Sequence, residues 1–141
     1  MERYKFLSHT ADIKFQAFGD SLEKCFENAG YALAEIMYEK TKIKAVKKKN
    51  IEIKGRDNIN LLNNFLQEFL FLLDAGNFAV SKIKINKIEN IGKEKFILKA
   101  KLSGDNAKNY KFSNSVKAIT YNEMFVKIGK DKCILQVVVD V

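Results

Sequence analysis

The sequence predicts a layered α+β domain in which two long helices pack on mainly antiparallel β-sheet. Two segments carry apolar residues at helical spacing, almost everything after residue 77 alternates or runs apolar like strand, and 141 residues contain no proline, linker or low-complexity tract. One domain is therefore expected over residues 1–141, with enough apolar content, 47%, to close a core without staples.

The first element is a strand at residues 4–6. Across the polar segment His9-Thr10-Ala11-Asp12 follows a strand at 13–18, with Ile13, Phe15 and Ala17 on one face and Lys14 and Gln16 on the other. Gly19-Asp20 stops it. Asp20 with Glu23 three residues later reads as a capping box, starting a helix to about residue 38 striped by Leu22, Phe26, Ala29, Leu33, Ile36 and Met37. The lysine-rich residues 47–50 read as a turn before a strand at 51–54. Gly55-Arg56-Asp57 then repeats the earlier punctuation before a second helix striped by Leu62, Phe65, Leu66, Phe69, Leu70 and Leu73. Strand, glycine turn, cap and helix thus occur twice, as an internal β-α duplication would leave them. Asp74-Ala75-Gly76-Asn77 ends the second helix. Strands are expected at 78–88, 95–102, 116–128 and 133–141, the last two forming a hairpin across Gly129-Lys130-Asp131.

Composition narrows the function. Basic residues exceed acidic ones by 25 − 17 = 8, a field that attracts polyanions and acidic partners, and all the basic residues except Arg3 and Arg56 are lysine. Lysine is a point charge rather than a planar fork for reading bases, and a plain solvated surface has the same composition. Cys25 and Cys133 have neither CxxC spacing nor a disulfide framework and read as small core or surface residues. No apolar run is long enough to span a membrane, and the first five residues do not resemble a signal peptide, so a cytoplasmic protein is expected.

His9 is the sole imidazole in the chain, which nearly exhausts triads and His-based acid–base pairs. Neither GxxxxGK[ST] nor GxGxxG occurs. At the other end, the apolar run Ile134-Leu135-Gln136-Val137-Val138-Val139 leads straight into Asp140 and Val141. A docked strand would fix the Asp140 and terminal carboxylates side by side as hard oxygen ligands, and Asp12 would complete such a site if the first and last strands were neighbours. The competing reading makes Asp12 an Asx-turn residue, Asp140 a solvated end residue and His9 a turn residue satisfied locally.

Across essentially its full length the chain resembles the archease family. The resemblance rests on His9-Thr10-Ala11-Asp12-Ile13, Ala17-Phe18-Gly19-Asp20-Ser21-Leu22-Glu23, the Gly-x-Asp entry to the second helix, Phe65-Leu66-Gln67-Glu68-Phe69-Leu70 with Asp74, Val116-Lys117-Ala118-Ile119-Thr120-Tyr121, and Val137-Val138-Val139-Asp140-Val141. It implies a protein without catalysis of its own, an accessory factor that helps the GTP-dependent tRNA-splicing ligase become guanylylated and turn over. A tRNA cytosine methyltransferase whose specificity is modulated is the alternative partner it implies, while the lysine-rich surface offers direct contact with tRNA as a binding-only alternative. It further implies a divalent metal, calcium first with magnesium or manganese as alternatives, held by Asp12, Asp140 and Val141. Lys117 is implied as a functional contact to an acidic or phosphate-bearing group, and His9 as the residue that positions the Asp12 turn. Two departures stand out: Asn122 where many relatives have histidine, and Phe65 and Phe69 in place of a more usual tryptophan or leucine pattern. A metal-dependent hydrolase would need general bases that the sequence does not supply near these residues.

Overall fold

The computed structural model describes residues 2–141. It is an α+β fold of seven strands and two long helices in the order β1 (Tyr4–Leu7), β2 (Ile13–Gly19), α1 (Leu22–Met37), β3 (Lys47–Gly55), α2 (Asn58–Gly76), β4 (Phe78–Gly92), β5 (Lys95–Asn106), β6 (Ala118–Gly129) and β7 (Lys132–Asp140). They form two antiparallel sheets, ordered β1-β2-β7-β6 and β3-β5-β4.

The echo seen in the sequence is a repeat of topology. Strand β2, helix α1 and the hairpin β6–β7 give the order β2-β7-β6; strand β3, helix α2 and the hairpin β4–β5 give β3-β5-β4. The second unit is inserted into the first, between α1 and β6. Both first strands end in a glycine for the same reason: a Cβ on Gly19 would lie 2.5 Å from the backbone nitrogen of Cys25, and one on Gly55 would lie 2.7 Å from that of Leu61. Only hydrogen at these positions lets each helix start directly over its strand.

The first helix is capped by Ser21, whose Oγ accepts from the Lys24 N–H at 3.1 Å. The expected Asp20 cap is thus one residue early; Ser21 is in extended backbone at the right place, and both residue types make good caps. Asp57 caps the second helix as expected, accepting from the Asn60 N–H at 2.7 Å, and Asn77 ends it in the left-handed conformation at φ 50°. Residues 47–50 are strand rather than turn, paired with 101–104 of β5. The last hairpin begins at Ala118, two residues later than expected.

Each helix covers the face of its own sheet and ties down the edge of the other. Phe15, Ala17, Leu135, Val137 and Val139 line the face under α1, while Ile53, Leu98, Ala100 and Leu102 line the face under α2. Phe26, Phe65 and Phe69 are completely buried between the helices, their rings 5.3–6.2 Å apart, each contributing about 1.5–3 kcal/mol by leaving water. The outward N–H groups of edge strand β4 are taken by one face of α1: Val80 donates to Tyr38 Oη, Ile83 to Tyr31 Oη and Ile85 to Glu27 Oε2, at 2.8–2.9 Å. Gln67 of α2 donates in turn to the Ile119 carbonyl on edge strand β6, at 3.4 Å. These contacts occupy edges that would otherwise template a foreign strand.

Candidate functional site

The candidate site lies where β2, β7 and β6 end together. Register pairs Ile13 with Val139 and Ala118 with Asp140, so Asp12, the residue before β2, precedes the strand end that lies beside the end of β7. The Lys117 N–H donates to the Asp140 carbonyl at 2.8 Å, which fixes the backbone at this corner. Val137 and Val139 face the helices, and alternation therefore turns Asp140 to the outer face of the sheet. Asp12, Asp140 and Val141 are half-buried, whereas Lys117 is exposed. No basic side chain lies within 4.0 Å of either aspartate among the described residues.

Carboxylates brought close together without a cationic partner repel each other, and a divalent cation relieves such repulsion. Among the described residues no three His, Cys, Asp or Glu side chains gather closely enough to hold a metal, so a site at this corner would also need oxygens of another kind, such as a backbone carbonyl or the Val141 carboxylate. Such a donor set is all hard oxygen, the type that calcium, magnesium and manganese take, with water filling the remaining positions.

His9 is drawn elsewhere. Its Nε2 lies 3.1 Å from Glu123 Oε2, and Lys14 Nζ donates to Glu123 Oε1 at 3.3 Å. Glu123 sits in a bulge between Thr120 and Phe125 with φ at 56°, a conformation that aims it back across the outer face. The His9 hydrogen bond, followed by that from Lys14, holds the Glu123 carboxyl below its ordinary range. Gln136 donates to the Glu123 carbonyl at 2.8 Å, and Gln16 donates to Gln136 Oε1 at 3.0 Å, continuing the polar chain over β2 and β7. Val138 shares this outer face with Lys14 and Thr120 yet is completely buried, so the chain's own residues roof that part of the sheet. His9 Nδ1 is buried without a hydrogen-bond partner among the described residues.

Sequence reasoning did not find Glu123, Lys14 or Gln136. The one available signal was Gln136, a lone polar residue in an apolar run; nothing local marks the bulge that delivers Glu123. Asn122, beside it, is exposed. The cysteines, 108 residues apart, meet in the core: Cys133 pairs opposite Gly19, over which the backbone of Cys25 sits, and the hydrogen bond between the two thiols together with burial pushes Cys25 up. It stays a protonated, unreactive thiol.

The model of the archease protein family matches residues 4–141. The chain belongs to the archease family. It is 32% identical to the archease of Methanosarcina barkeri over 142 residues, covering 99% of this chain and 97% of that one. The archease of Pyrococcus abyssi is 34% identical over 146 residues with complete coverage of both. The solution structure of Methanobacterium thermoautotrophicum protein 1598 superposes with a TM-score of 0.83 at 30% identity, all of both chains matching. A crystal structure from Thermotoga maritima, described as an archease and possible chaperone, shares the fold with a TM-score of 0.61 at 20% identity, over 97% of this chain and 96% of that one. The repeated unit thus belongs to an archease fold. None of its helices among the described residues is long and apolar enough to cross a membrane.

Proposed function

We propose that this archease is a non-catalytic accessory factor of the GTP-dependent tRNA-splicing ligase, promoting guanylylation and multiple turnover. The observation that supports the reading is that β2 and β7 end side by side, with Ile13 paired to Val139 next to Asp12 and Asp140, and that neither aspartate has an ion pair among the described residues. A divalent cation, calcium by preference and magnesium or manganese otherwise, is held there by Asp12, Asp140 and an oxygen of Val141. The bound ion supplies positive charge that can meet a phosphate or arrange metal near the ligase's nucleotide. Lys117, exposed beside this corner, supplies a second positive contact for an acidic or phosphate-bearing group. His9 acts on the bulge through Glu123 rather than on the ion.

The test is multiple-turnover RNA ligation by the ligase of the same organism, with GTP and divalent metal, at limiting ligase. Added protein should raise turnover, and Asp140→Ala should remove the stimulation while leaving the fold intact by circular dichroism. Full stimulation by Asp140→Ala would sink the metal-corner mechanism; no stimulation by the unaltered protein would sink the accessory role.

A further inference from the structure

The outer face of the β3-β5-β4 sheet carries lysines that form no ion pair among the described residues. Ile53, Ile83, Ile85, Leu98 and Leu102 point to the helices, so the alternate residues of the same strands point away. Only two carboxylates share that face, and each is occupied: Glu52 by Lys99 at 3.6 Å and Glu89 by Lys87 at 3.3 Å. Lys48, Lys54, Lys82, Lys84 and Lys101 are exposed there and form no ion pair among the described residues. Lys84 stands directly opposite Lys101 in the ladder, on strands about 4.8 Å apart, where like charges cost stability.

We propose that this face binds the phosphate backbone of a nucleic acid without reading its bases. Protein interfaces centre on aromatic, methionine and arginine side chains and are depleted in lysine, and register places no aromatic residue or arginine on this face. The same absence removes base stacking and the bidentate reading of base edges. What remains is a flat array of point charges on rigid strands, suited to phosphates spaced along a backbone. The array belongs to the sheet that does not carry the Asp12 and Asp140 corner, so this inference stands apart from the ligase reading.

The test is fluorescence anisotropy of fluorescein-labelled transfer RNA with the full chain, without any ligase, over a series of salt concentrations. The unaltered protein should bind with micromolar affinity that falls steeply with salt. Lys84→Glu with Lys101→Glu should weaken binding at least about tenfold and reduce the salt slope by about 2, while Lys130→Glu with Lys132→Glu, the same charge change at the β6–β7 turn, should alter affinity less than about twofold. Lys101→Glu alone separates binding from folding: it creates an attractive pair with Lys84, so the melting temperature should rise by a few degrees as RNA affinity drops several-fold. The proposal is overturned by equal losses in the two double variants, by no binding at about 100 mM salt, or by poly-glutamate binding the face as tightly as RNA.

Discussion

The units β2-α1-β6-β7 and β3-α2-β4-β5 share a strand order, a glycine beneath the first turns of the helix and a side-chain cap two residues later, yet their outer faces differ. The first unit roofs part of its outer face with its own polar residues, from His9 and Glu123 to Gln136 and Gln16, and ends in two aspartates. The second leaves its face bare and fills it with lysine, of which only Lys87 and Lys99 form ion pairs among the described residues. The inner faces are fixed by the need to bury the same pair of helices, whereas the outer faces are free to diverge.

The comparison can be broken hardest at the shared glycines. Gly19→Ala and Gly55→Ala each force a Cβ into helix backbone that cannot swing aside, and each should cost about 3 kcal/mol by urea denaturation; a cost below about 1 kcal/mol at either would show that the two helix starts are not built alike. Glu27→Ala comes next. It strips the buried Ile85 N–H of its acceptor and should cost about 2 kcal/mol, with faster amide exchange along β4. Caps follow: Ser21→Ala and Asp57→Ala should each cost about 1 kcal/mol, whereas Asp20→Ala should be nearly silent in the same melts.

The smallest effect sharpens the difference between outer faces. The folded state lowers the Glu123 carboxyl below its unfolded value, so its contribution is present above the unfolded carboxylate range and lost as pH falls through the folded value. The stability gap between the unaltered protein and Glu123→Gln should therefore be seen at neutral pH and close in acid. A gap that widens in acid would contradict the network.

Much of this was legible in the sequence because it depends on local spacing. The helical stripes, the Asp57 cap, the alternation of β2 and the repeated glycine turn all follow from residues a few positions apart. Residues 47–50 misled because a run of lysine gives no alternation; they are strand because β5 supplies their partners and the face they present is open to water. Asp12 and Asp140 were identifiable as candidates, but what brings their ends of the chain together is β2 pairing with β7, a contact up to 139 − 13 = 126 residues apart that no local pattern encodes. Glu123 was invisible for a related reason: its role depends on a bulge and on a histidine 114 residues away.

Calorimetric titration of calcium into the protein and into its Asp12→Asn and Asp140→Asn variants tests the central claim most directly. The account predicts one ion per chain, with affinity at least about tenfold weaker in either variant as one carboxylate ligand is lost. Equal affinity in all three proteins, or no binding by the unaltered one to calcium, magnesium or manganese, would contradict it.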